Sequence, residues 1–148
     1  MLLTVDIGNT NIKVGAWDGD DLIFVSSMHT NVLRTTDEYA VQFLDVFRPH
    51  NCNSTQFDGA ILSSVVPPLS TVLRKAVRQV IETDRVYLVS AGMKTGLNIK
   101  IDNPAQLGAD LVCAAVAAIS KMDLPCVFIG LGTATAVFAI DKEACLLG

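Results

Sequence analysis

The chain opens on three apolar runs separated by two tight turns, and that order constrains the fold more than any other feature. Leu2–Val5, Ile12–Trp17 and Leu22–Val25 read as strands. Between them, Gly8-Asn9-Thr10-Asn11 and Asp18-Gly19-Asp20 are turn chemistry. Strands this close in sequence pair antiparallel, so the spacing predicts an N-terminal meander. Strands and helices then alternate. A helix is expected from Thr36 to Pro49, a strand over Phe57–Val66, a helix over Leu69–Glu82 and a strand over Val86–Val89. Residues 91–103 read as a loop, Pro104–Met122 holds an apolar helix, and Val127–Ile129 and Ala136–Ile140 flank a new turn. A meander followed by alternating elements predicts an α/β fold with a mixed sheet flanked by helices.

Composition narrows the function classes. The 148 residues suit one domain, or one and the beginning of another. Apolar residues make up 51% and charged residues 18%, too apolar for a disordered tail. Eleven basic and 15 acidic side chains leave a net charge of -4, with no basic stripe for nucleic acid. The longest apolar run, Leu111–Ile119, is well short of the roughly 20 residues of a membrane span. Met1–Val5 meets Asp6 without a basic start or a small-residue cleavage site, so no signal peptide is read there. Cys52, Cys113, Cys126 and Cys145 form no C-x-x-C pair, and reduced thiols in a cytoplasmic protein are expected.

Three segments carry candidate chemistry. In Asp6-Ile7-Gly8-Asn9-Thr10-Asn11-Ile12-Lys13, Gly8 is expected to turn with positive φ and bring backbone close to a ligand. Asn9 and Thr10 suit phosphate oxygens, Lys13 adds a cation, and Asp6 at a strand end suits a magnesium ion held through water. An ordinary hairpin accounts for the turn residues but does not require Asn11 and Lys13. In Asn103-Pro104-Ala105-Gln106-Leu107-Gly108-Ala109-Asp110, Asp110 lies at the start of an apolar helix, whose dipole keeps it ionised. A general base for a hydroxyl fits there, and so does ordinary helix-start chemistry. Gly130-Leu131-Gly132-Thr133-Ala134-Thr135 is a Gly-Thr turn suited to a nucleotide phosphate. Ser63-Ser64-Val65-Val66-Pro67-Pro68 closes a strand where hydroxyls can line a cleft. Neither serine has a G-x-S-x-G setting, and His29 and His50 offer no base in place, so a serine hydrolase is disfavoured. Trp17 and Tyr87 read as core packing.

Residues 3–11 laid over residues 127–135 give the same pattern twice: apolar strand, Gly, small polar turn, apolar strand. A separation of domain length, with a phosphate-type hairpin opening each copy, resembles the actin-like/sugar-kinase superfamily. The motifs in order resemble one branch of it, the type III pantothenate kinases. Asp6-x-Gly8-Asn9-Thr10-Asn11-x-Lys13 is similar to that family's first phosphate motif, and Ser63-Ser64-Val65-Val66-Pro67 to its S-S-V-V-P segment. Asp102-Asn103-Pro104 with Gly108-Ala109-Asp110 is similar to its N-P…G-A-D-R motif. Gly132-Thr133-Ala134-Thr135 is similar to the core of its D-x-G-T-A-T-T motif. The resemblance implies an actin-like ATPase, ribonuclease H-like lobe over residues 1–120 and the first hairpin of a second lobe over 121–148. It implies ATP-dependent phosphorylation of pantothenate, the first step toward coenzyme A, by a homodimer using magnesium and a monovalent cation (K+ or NH4+). Asp110 would be the general base, and Gly108, Ala109 and Asp110 would meet pantothenate. Asp6, Gly8, Asn9, Thr10, Asn11 and Lys13 would hold phosphates and metal, with Gly132, Thr133 and Thr135 opposite them.

The chain departs from the pattern at Leu111, where the family has arginine, at Gly130, where it has aspartate, and at Ala136, where it has threonine. The arginine is expected to bind pantothenate and the aspartate to contribute to cation binding. Losing one charge-assisted contact costs about 1.5–3 kcal/mol. These departures keep a non-catalytic metabolite-binding or regulatory relative as an alternative, beside another small-molecule kinase of the superfamily. Family chains also continue past position 148 into a second lobe, so the hairpin strands near 127–140 should be covered by that lobe or by a second copy. One lobe should not close around nucleotide. Little turnover is therefore expected in an ATP-dependent pantothenate phosphorylation assay of the 148-residue chain, and robust turnover would refute that expectation.

Overall fold

The computed structural model describes residues 1–90, 93–101, 107–131 and 135–147. They form two compact units, Met1–Leu88 and Val89–Gly148.

The first unit is a five-stranded sheet with the order β3-β2-β1-β4-β5. Its strands are β1 (Leu2–Ile7), β2 (Asn11–Asp18), β3 (Asp21–His29), β4 (Gly59–Ser64) and β5 (Val86–Leu88). The β1/β2 and β2/β3 pairs are antiparallel, as the two tight turns require. The β1/β4 and β4/β5 pairs are parallel, because a helix intervenes each time. Alternation decides which face is buried. Leu3, Val5 and Ile7 lie opposite Ala16, Val14 and Ile12 on one side of β1, and Leu3 and Val5 lie opposite Ala60 and Leu62 on the other. All of these are essentially inaccessible to solvent. Helices α1 (Thr36–Phe47) and α2 (Pro67–Ile81) supply the rest of this core, chiefly Tyr39, Phe43, Phe47, Leu69, Leu73 and Val77.

Local chemistry sets the helix ends. Thr35 and Glu38 form a capping box at the start of α1. The Thr35 backbone N–H and hydroxyl both donate to the Glu38 carboxylate and hold its pKa below the ordinary value. Helix α2 begins at Pro67, two positions before the expected Leu69. Proline is favoured in a first helical turn, whose N–H groups have no partner inside the helix. His50 stacks on Phe24 with ring centroids 4.2 Å apart, and its Nε2 lies 2.9 Å from Ser26 Oγ. That imidazole is engaged in packing. Tyr87 corrects the expectation of a core residue: it is 57% exposed, on the face of β5 opposite buried Val86. Trp17 is half-buried, and its indole N–H donates to Thr4 Oγ1 at 3.3 Å.

The second unit holds β6 (Asn98–Ile99), α3 (Ala109–Lys121), β7 (Cys126–Leu131), β8 (Thr135–Ile140) and β9 (Cys145–Leu146), in the sheet order β6-β9-β8-β7. Strands β6 and β9 fall where no strand was read, being too short to show a period of two. The expected β7/β8 hairpin is present, with Phe128 opposite Phe138 and their rings 5.6 Å apart. Helix α3 buries Val112, Ala115 and Ala118. On alternate hairpin positions, Val127, Ile129, Leu131 and Val137 are all more than half exposed. Among the described residues no helix is long and apolar enough to cross a membrane.

The Tyr39 hydroxyl is buried where α1 meets the segment leaving β3. It accepts from Asn31 N–H at 3.0 Å and donates to Asn31 C=O at 2.9 Å. Replacing Tyr39 with Phe leaves both backbone groups without that partner. A loss of about 1–3 kcal/mol is expected in a urea titration, without loss of helical signal.

Candidate functional site

The chemistry-bearing residues of the first unit gather where β1 ends. Ile7 pairs with Ile12, and residues 8–11 form the tip, closed by the Gly8 N–H donating to Asn11 C=O at 3.0 Å. Gly8 does not adopt the expected positive φ. The need for glycine is a close approach: a Cβ there would stand 3.0 Å from Asn11 O, tighter than nearly all real contacts. Asn9, Thr10 and Asn11 are exposed at the tip.

Pleating brings the charged residues together. Asp6 lies between buried Val5 and Ile7, and Lys13 between buried Ile12 and Val14, so both side chains leave the sheet on the face away from the core. Asp6 lies opposite Lys13 in the β1/β2 pair and opposite Ser63 in the β1/β4 pair. Lys13, Asp6 and Ser63 therefore form one row across three strands. The β1/β4 boundary is also where strand order reverses, since β2 and β3 follow β1 on one side while β4 and β5 lie on the other. Ligands of open α/β sheets bind beyond the carboxyl ends of strands at such a point.

Two contributors take their roles from the fold: Thr30, which no motif marks, and Ser63, which the sequence offers only together with Ser64 as a hydroxyl able to line a cleft. Thr30, just past β3, donates its hydroxyl to Gly8 C=O at 2.6 Å, and its N–H donates to Thr10 C=O at 3.0 Å. It clasps the tip from the next strand connection, a contact that no local motif announces. The other is Ser63, distinct from its neighbour. Ser64 Oγ accepts from Val66 N–H at 3.2 Å and lies 2.8 Å from Ser70 Oγ, closing the strand-to-helix turn. Ser63 is only 8% exposed, and its Oγ has no hydrogen-bond partner among the described residues.

In the second unit, Gly108 is the N-cap of α3, Ala109 its first residue, and Asp110 lies exposed in its first turn. A carboxylate there is favoured by the helix dipole. Thr135 opens β8 and is exposed. Gly132 and Thr133 lie outside the described residues, as do residues 102–106. Leu111 and Gly130 are neighbours: a Cβ on Gly130 would sit 3.8 Å from Leu111 Cδ2, an ordinary contact distance. The first two departures thus adjoin in space.

Among the described residues no group of three or more His, Cys, Asp or Glu could hold a metal ion. Asp6 alone suits magnesium, which takes one or two carboxylates and keeps its waters.

The sequence matches the family model for type III pantothenate kinase over residues 2–148. The chain belongs to the type III pantothenate kinase family. It is 41% identical to a type III pantothenate kinase of Exiguobacterium sp. strain AT1b and 39% identical to one of Exiguobacterium sibiricum. Each match covers 97% of this chain and 56% of the relative, so the chain spans about half the length of these curated relatives. Its backbone is similar to that of a solved Porphyromonas gingivalis structure named as a candidate N-acetylglucosamine kinase, with a TM-score of 0.53 and 12% identity. That likeness covers 97% of this chain and 45% of the other, and it speaks for the fold alone.

In this member of the pantothenate kinase family, Thr30→Val removes the hydroxyl that holds Gly8 C=O. A loss of about 0.5–1.5 kcal/mol is expected. Amide exchange should quicken at Gly8 and Thr30, with α2 unchanged.

Proposed function

We propose that this protein transfers the γ-phosphoryl group of ATP to the primary hydroxyl of pantothenate, the entry step to coenzyme A. The observation that carries the reading is the row formed by Lys13 and Asp6 beside the Gly8–Asn11 tip, in a chain that matches the family model almost end to end. The Asn9 and Thr10 side chains and the tip amides are suited to phosphate oxygens, and Lys13 to their negative charge. Bound magnesium would neutralise charge on the transferring group, with Asp6 holding it through water. Asp110 takes the substrate proton as a base at a helix start, and Gly108 and Ala109 offer close backbone approach to pantothenate. Gly132, Thr133 and Thr135 are assigned to the same phosphates. Catalysis is then positioning and charge neutralisation rather than covalent chemistry.

The finer parts of the reading belong to the same proposal. Residues 1–120 are a first lobe and 121–148 the start of a second. The protein is a cytoplasmic homodimer, a reading supported by the thiols of Cys52, Cys126 and Cys145 and by the exposed apolar face of the β7/β8 hairpin. The monovalent cation implied by the resemblance fits less well. Gly130 places no carboxylate at the position expected to help hold it, so no step is assigned to that cation.

A second reading is favoured by one contact. Leu111 and Gly130 present an apolar neighbour pair where the family pattern has an arginine and an aspartate. A relative that binds metabolites without turning them over fits that exchange.

Phosphoryl transfer to pantothenate, followed by product mass, decides between the two when it is measured on a chain that carries both lobes, because one lobe alone is expected to turn over little. The kinase reading expects turnover that falls about 10²–10⁴-fold in Asp110→Asn. The binder reading expects pantothenate binding in calorimetry without turnover, and a gain of at least about tenfold in turnover in the Leu111→Arg, Gly130→Asp double variant, equivalent to one recovered charged contact.

A further inference from the structure

The Ser63 hydroxyl is an anomaly within the first unit. A buried hydroxyl without a partner is destabilising, and native structures keep few of them. Here the side chain is more than nine-tenths buried and its Oγ has no hydrogen bond among the described residues, while adjacent Ser64 is fully engaged in the turn to α2. Valine or alanine would fill such a strand position at lower cost. Its place in the fold is also specific. Ser63 is the parallel-strand partner of Asp6, on the same face and at the point where strand order reverses. An orphan hydroxyl beside a carboxylate, with Lys13 across the next strand, is an all-oxygen donor set with a balancing cation. Such a set fits a hard, hydrated cation and the oxygens that accompany it.

We propose that Ser63 is a further binding residue of the phosphate site, its Oγ holding a water of the hydrated magnesium ion beside Asp6. This rests on the phosphate-site reading above and adds a residue and a role to it. A hydroxyl serves here where a second carboxylate would not. It donates or accepts as the water requires, and adds no negative charge next to incoming phosphates.

The test compares wild type, Ser63→Ala, Ser63→Thr and Asp6→Asn by titration calorimetry, each in a chain that carries both lobes. ATP is the probe, once with magnesium and once with the metal removed by chelator, and the ligand-free melting midpoint is recorded for each. The expected result is about tenfold weaker binding of magnesium-ATP by Ser63→Ala. Metal-free ATP binding should be unchanged, Ser63→Thr should recover most of the loss, and the ligand-free midpoint should be equal to wild type or higher. Equal weakening with and without magnesium would overturn the assignment, since the hydroxyl would then meet phosphate directly. A lowered ligand-free midpoint would overturn it as well, by giving Ser63 a role in the fold. Unchanged magnesium-ATP binding in Ser63→Ala, with Asp6→Asn impaired, would remove Ser63 and leave the phosphate site standing. Wild-type protein that binds neither form would remove both.

Discussion

Strand β1 is hydrogen-bonded along both edges, antiparallel to β2 and parallel to β4, from Leu2 to Ile7. Everything else in the first unit follows from that double pairing. It forces Leu3, Val5 and Ile7 onto the face that α1 and α2 cover, because side chains alternate. It forces Asp6 onto the other face by the same rule. A shift of register by one residue would bury the carboxylate and expose the three apolar side chains, so the core and the candidate site are specified together. Central position also lets one strand deliver Asp6 to neighbours from both sides, Lys13 from a hairpin and Ser63 from a crossover.

The tip beyond β1 is built by short-range bonds with a long-range support. Gly8 and Asn11 close the turn themselves. Thr30 then ties Gly8 and Thr10 to the end of β3, and Tyr39 ties adjacent Asn31 to α1. A tip whose residues 9–11 are exposed cannot rely on burial for order. Hydrogen bonds to a rigid helix and sheet supply that order instead. The second unit shows a different economy. Its helix start carries Asp110 into solvent, and Leu111 stands near Gly130.

Much of this was legible in the residues. The three-strand meander, the two crossover helices and the apolar α3 each carry a period long enough to read. Asp6, Lys13 and Asp110 stood out as charges set at the ends of apolar runs. What escaped had physical reasons. Strands β6 and β9 are two residues each and show no alternation. Tyr87 sits in a three-residue strand, where one aromatic side chain reads equally well as core or surface. Gly8 looked like a positive-φ glycine, and the reason for it is instead the neighbouring Asn11 carbonyl.

By itself, the sequence determined the order of elements, the face each strand buries and the family to which the chain belongs. Those depend on local period, on turn chemistry and on motifs read in order. Tertiary structure alone decided which residues share a row. That Ser63 stands beside Asp6 while Ser64 turns to the helix is set by the β1/β4 register across more than fifty residues of chain, and nothing local encodes a register between distant strands. The same holds for Thr30 at the tip and for Leu111 against Gly130. Each of these pairs is made by backbone pairing or helix packing between separated segments, which only the folded chain brings within reach.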